Sequence, residues 1–175
     1  MHVDTYQRRK SMKQLYIKQK VFSLSGKFTV KDQEEKDVYY VEGSFMRVPK
    51  TFSIMNESSD EVALITKKTF SFLPKFFVSV GGQELFTIKK EPSFFKARYT
   101  IDAAGIEVQG NWWDMNFQVY QHGEVVGKVS KEWFTWGDSY KVEIVDEEME
   151  TSLIALVVAI DCVKADQAAA SSPAT

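Results

Sequence analysis

Short runs in which apolar and polar residues alternate, joined by polar turns, recur along most of this chain. They read Phe28-Thr-Val-Lys-Asp with Asp37-Val-Tyr-Tyr-Val41, and Phe52-Ser-Ile-Met-Asn with Glu61-Val-Ala-Leu-Ile65. Next come Phe77-Val-Ser-Val-Gly-Gly-Gln-Glu-Leu-Phe-Thr-Ile88 and the shorter Tyr99-Thr-Ile-Asp-Ala-Ala-Gly-Ile-Glu-Val108. Phe117-Gln-Val-Tyr-Gln-His-Gly-Glu-Val-Val-Gly-Lys-Val129 follows, and the last copy begins Tyr140-Lys-Val-Glu-Ile-Val145. A period of two sends neighbouring side chains to opposite faces, the signature of a strand with one buried side. The leading aromatics return at intervals of roughly 18 to 25 residues, room for two strands and a turn. Gly81-Gly82, Ala104-Gly105 and His122-Gly123 supply residues suited to tight hairpin turns. Six such units predict about twelve antiparallel strands.

The pattern changes at Thr151-Ser-Leu-Ile-Ala-Leu-Val-Val-Ala-Ile-Asp-Cys-Val-Lys164, which is apolar on every side. As a helix it spans about 20 Å, short of the ~20 apolar residues a bilayer demands. A helix without a polar face has to be enclosed, and sheet is the only wrapper this chain offers. Side chains alone fill a barrel of about eight strands, and a wider one leaves a central space. The two features account for each other. The predicted fold is mainly β, a twelve-stranded antiparallel β-barrel built from repeated hairpins and enclosing a hydrophobic C-terminal helix. The domain is expected over residues 12–164 with its central helix at 151–164. A flexible basic segment precedes it (1–11), and a low-complexity, disordered tail follows (165–175).

The opening Lys13-Gln-Leu-Tyr-Ile-Lys-Gln-Lys-Val-Phe22, the repeated strand–Asp/Asn turn–strand units and the terminal apolar helix resemble the LURP-one-related family, bacterial YxjI-like members in particular. The resemblance covers about residues 12–164, and its motifs are architectural. It implies the tubby C-terminal fold, shared with phospholipid scramblases: a twelve-stranded barrel around a central hydrophobic helix. Tubby domains bind phosphoinositide head groups and scramblases act on membranes with calcium. Shared fold does not carry shared function with it.

Composition narrows the setting. The 175 residues suit one domain. The single cysteine, Cys162, has no disulfide partner within the chain and lies in the apolar helix, where a lone thiol is an inert small hydrophobe. Residues 1–20 hold no uninterrupted apolar core of a secretory signal, so a cytoplasmic protein is expected, peripheral at a membrane if it meets one. Charge is uneven: residues 1–100 carry 18 Lys and Arg against 11 Asp and Glu, whereas residues 101–175 carry 4 against 13. A dipolar surface is one consequence, unless the sequential strands mix the two halves.

Catalysis has little to build on. His2 lies in the N-terminal segment and His122 at a hairpin tip, and no Gly-rich phosphate loop, Gly-x-Ser-x-Gly elbow or metal-spaced Cys/His set is present. No enzyme, metal or cofactor is expected. Asp146-Glu147-Glu148-Met149-Glu150 lacks the glycine and alternating Asp of a calcium loop. It fits better as carboxylates favouring the positive end of the helix, with Thr151 or Ser152 as cap.

The cations hold more. Lys67-Lys68 and Lys89-Lys90 end two successive units at matching places, with Lys75, Lys96 and Arg98 close by in sequence. Strand-end cations of neighbouring hairpins converge on one rim of a barrel, the chemistry that grips a phosphorylated head group. Lys67, Lys68, Lys89, Lys90, Lys96 and Arg98 are therefore the candidate ligand-binding residues, against the plainer alternative that lysines keep sheet edges soluble. Trp112-Trp113 and Trp133-Phe134-Thr135-Trp136 form a second set, since in a strand one of two adjacent rings faces out, as at a membrane interface. The expected partner is an anionic phospholipid head group; the alternative is a protein-interaction scaffold with no lipid. Nucleic acid is disfavoured by a pI near 5.8 and the lack of a binding motif, and a lipocalin-like carrier by the helix in its cavity.

Overall fold

A computed structural model describes residues 12–18, 27–44, 48–68, 73–92, 98–134 and 137–171; at 133, 134, 137 and 138 it describes backbone only. The alternating runs are strands β1 (Lys13–Lys18), β2 (Lys27–Lys31), β3 (Asp37–Gly43), β4 (Lys50–Asn56), β5 (Glu61–Lys68) and β6 (Lys75–Val80). They continue as β7 (Gln83–Glu91), β8 (Arg98–Ala103), β9 (Ile106–Asn111), β10 (Asn116–Gln121), β11 (Glu124–Phe134) and β12 (Gly137–Ile144). All the ladders are antiparallel, and β1 pairs with β12 as well as β2. The order β8-β7-β6-β5-β4-β3-β2-β1-β12-β11-β10-β9 makes a barrel that is closed except between β8 and β9.

One face of each alternating run turns inward. Leu15 and Ile17 of β1, Ile54 of β4, Ile65 of β5, Phe76 and Val78 of β6 and Val142 of β12 are all buried. They wrap α1 (Glu150–Ser171), whose residues from Ser152 through Val163 are buried on all sides. Each large apolar side chain taken from water contributes about 1.5–3 kcal/mol, so helix and barrel hold each other. The wall passes close at Gly127 of β11, where a Cβ would lie 2.4 Å from Leu153 Cδ1.

Both ends of α1 differ from the sequence expectation. At the start, the cap lies upstream of Thr151 and Ser152. Asp146 accepts the Glu148 N–H at 3.1 Å and opens a 3₁₀ turn, Glu147–Met149, that runs into the helix. Glu150 then receives the Lys13 ammonium and the Tyr39 hydroxyl, each at 2.8 Å. At the far end the helix continues past Lys164 to Ser171, where a disordered tail was expected from residue 165. Ala165, Ala168, Ala169 and Ala170 have high helix propensity. Asp166 is salt-bridged to Lys67, and Gln167 accepts the Tyr99 hydroxyl at 3.0 Å, so the extra turns are tied to the wall. The N-terminal segment 1–11 and residues 172–175 lie outside the described residues.

The fourth unit also departs from expectation. Tyr99–Val108 reads as a hairpin and does turn at Ala104-Gly105, yet β8 and β9 form no ladder with each other. Their inward residues Tyr99, Ile101, Ala103, Ile106 and Val108 pack against the core instead. Side chains, rather than backbone hydrogen bonds, hold this seam.

Candidate functional site

Antiparallel strands send every second terminus to the same end of the barrel. One end carries the tight turns and the start of α1, with Glu34, Glu57, Asp60, Glu61, Glu84, Glu107, Glu124, Asp146, Glu147 and Glu148. Its lysines are neutralised in place: Lys13 by Glu150, Lys31 by Asp37 and Lys36 by Glu57, at 2.8, 2.6 and 2.5 Å. The opposite end receives the last residues of β1, β5 and β7 and the first of β2, β4, β6 and β8. These are Lys18, Lys67, Lys68, Lys89, Lys90, Lys27, Lys50, Lys75 and Arg98. Lysine is thereby concentrated at one end of the barrel axis, an end that also holds acid: Lys27 pairs with Glu42 at 2.7 Å, Lys67 with Asp166, and Glu91 stands opposite Arg98.

Strand alternation splits the predicted cations between two faces. Lys67 shares the inward side of β5 with Ala63 and Ile65 and is engaged with Asp166 of α1. Lys90 shares the inward side of β7 with Ile88, opposite Tyr99 of β8. Lys68 and Lys89 face outward, and between them stands Lys75, which is in register with both. Lys68, Lys75 and Lys89 thus form a row across three adjacent strands. Cross-strand neighbours lie about 5 Å apart at Cβ, and like charges there repel. Asp102 takes up Lys89 at 2.9 Å, which raises the Lys89 pKa through that hydrogen bond and its charge. Lys68 and Lys75 meet no carboxylate among the described residues.

Arg98 is exposed at the start of β8. Its register partner Glu91 accepts the Thr100 hydroxyl at 2.9 Å, and Arg98 makes no ion pair among the described residues. The tryptophans expected in a strand stand in a turn: Trp112 and Trp113 lie between β9 and β10, where Asn111 accepts the Asp114 N–H. Both are half-buried, edge to face at 5.6 Å, and Trp113 stacks on Tyr99 at 5.3 Å across the seam. Gly110 beside them has φ +113, and a Cβ there would come within 2.9 Å of the Asn116 carbonyl, so the turn needs glycine. Together with Glu91, Arg98, Tyr99 and Thr100 these rings line an open cleft of about 570 Å³ at the lysine-rich end of the seam.

Elsewhere the ionisable groups read as structural. His122 is an exposed hairpin-tip residue with φ 52. Cys162 is buried, and burial pushes its thiol well up. Asp161, one residue before it, accepts the Tyr140 hydroxyl at 3.0 Å while its second oxygen has no partner. Burial pushes its carboxyl up to about 6, against the Tyr140 hydrogen bond and the Lys164 charge.

Of the predicted ligand residues, the structure brings Lys67, Lys68, Lys89, Lys90 and Arg98 to one end; Lys96 lies outside the described residues. Trp136 does too, and of Trp133 only the backbone is described. Sequence reasoning noted Lys75 only as a neighbour and missed Lys18, Lys27 and Lys50. The alternation of strand direction was the signal that places them.

A family model described as LURP-one-related matches residues 13–161. The uncharacterised protein YxjI of Bacillus subtilis (strain 168) is 32% identical over 152 residues, covering 87% of this chain and 94% of that protein. Among solved structures, the X-ray structure of the Arabidopsis thaliana protein AT5G01750 matches with a TM-score of 0.55 at 15% identity, over 85% of this chain and 91% of that one. That likeness concerns the fold.

Proposed function

The chain belongs to the LURP-one-related family, and on that premise we propose that it is a non-enzymatic binding module whose basic barrel end recognises an anionic phospholipid head group. The observation that carries this reading is the Lys68–Lys75–Lys89 row. Asp102 compensates Lys89, whereas Lys68 and Lys75 stand in register with no carboxylate among the described residues, and an anion laid across them removes their mutual repulsion. Phosphate oxygens accept several such donors at once. The axial sorting of charge adds orientation, because a negative surface attracts one end of the barrel and repels the other. No helix among the described residues is long and apolar enough to cross a membrane, so the contact proposed is peripheral. A cytoplasmic location fits this reading.

Co-sedimentation with phosphatidylcholine vesicles, with and without phosphatidylserine or a phosphoinositide, tests it. Binding is expected only to the anionic vesicles and should fall as salt is raised. Lys68→Glu/Lys75→Glu/Lys89→Glu should lose at least tenfold in affinity, while Lys36→Glu at the turn end should not. Undiminished binding by the triple variant contradicts the proposal.

A further inference from the structure

The seam between β8 and β9 bears on a different ligand. The Lys90 N–H donates to the Pro74 carbonyl, toward β6. Successive residues of an antiparallel strand bond to opposite neighbours, so Lys89 and Glu91 bond toward β8, where Thr100 and Arg98 stand in register. The N–H and C=O groups of Tyr99 and Ile101 are then turned into the seam, where no strand among the described residues is hydrogen-bonded to β8, β9 facing it across the seam. Such an edge is a template for one more strand. Beside it lie two further recognition groups. Trp112 and Trp113 offer half-buried ring surface in the cleft, and Arg98 makes no ion pair among the described residues, its register partner Glu91 accepting the Thr100 hydroxyl instead. The volume of about 570 Å³ lies within the usual range for ligand clefts.

From this juxtaposition we infer that the cleft takes an extended peptide segment of another protein. Its backbone adds to the open edge of β8, its apolar side chain sits on Trp112 and Trp113, and its carboxylate meets Arg98. Charge complementarity selects the acidic group: Arg98 lines the cleft and Lys90 faces inward beside it, Glu91 of the same lining is engaged by the Thr100 hydroxyl, and Arg98 can hold a carboxylate bidentately. A small aromatic acid would use the rings and Arg98 and leave the strand edge idle; a peptide uses all three. The site is independent of the lipid reading, since the Lys68–Lys75 pair takes no part in it.

The probe is a phage-displayed library of random linear decapeptides selected on the full chain without vesicles. Selected peptides are expected to carry an acidic residue and an apolar one at strand spacing, and to slow amide exchange at Tyr99 and Ile101 by at least tenfold. Arg98→Glu, a change at an exposed position, should weaken them at least tenfold, and Trp113→Ala should do so as well. The Lys68→Glu/Lys75→Glu variant should keep their affinity, which separates this result from that of the vesicle experiment. Three results would overturn the inference: no enriched peptide, binding that leaves Tyr99 and Ile101 exchange unchanged, or saturable binding of indole-3-acetate with no peptide retained.

Discussion

At the scale of single residues, Asp161 carries the clearest consequence. Its carboxyl sits inside the helix–barrel core with one oxygen bonded to Tyr140 and the other unpaired. Its pKa rises from 3.8 to about 6, chiefly by burial. Between about pH 4 and pH 6 the folded protein still holds a proton that the unfolded chain has released. Stability on this account falls as pH rises through that window, by up to roughly 3 kcal/mol, and is flat above it. Asp161→Asn removes the ionisation, so it should raise the melting temperature at pH 8 by a few degrees and change it little at pH 4. Thermal unfolding at the two pH values checks this, and an equal effect at both would refute it. The sequence placed Asp161 in the apolar helix without revealing the Tyr140 contact, because that contact joins residues 21 apart through the barrel wall.

Among the elements, the helix and its wrapper were the most legible. Alternation survives in most strands, β8 included, because one burial face per strand is a local property of the sequence; β7 departs from it, burying Phe86, Thr87 and Ile88 in succession. The helix ends were less legible. Lys67, Tyr99, Lys13 and Tyr39 tie them down from strands distant in the chain, and no local pattern announces such partners. The β8–β9 hairpin misled for the same reason: its turn is local, whereas its failure to pair depends on how the whole barrel closes. The tight approach of α1 to β11 gives a direct check of enclosure. Gly127→Ala should push on Leu153 and cost about 1–3 kcal/mol by overpacking. Urea denaturation should show a lower midpoint with an unchanged slope; an unaltered midpoint would mean the helix stands further from the wall.

For the whole molecule, the arrangement of charge follows from topology. The halves of the sequence differ in charge, but what matters for a ligand is which end of a strand each lysine occupies, and an antiparallel barrel reverses that end at every turn. Five of the six predicted cations share an end for this reason, and one of the five, Lys67, is engaged in holding the helix. The ligand-facing row needed Lys75, whose role appears only when register is known. A barrel with an acid-rich turn end and a lysine-rich opposite end, where Lys68, Lys75 and Arg98 make no ion pair among the described residues, should meet a negative surface in one orientation.

Orientation on the vesicle is accordingly the measurement to make. Cys162 is buried, so a fluorophore can be placed selectively on Val48→Cys, exposed at the basic end, or on Ser58→Cys at the turn end. Vesicles containing phosphatidylserine and nitroxide-bearing lipid should quench the label at position 48 and leave the label at position 58 bright. Equal quenching at both positions, or none at either, would contradict the account.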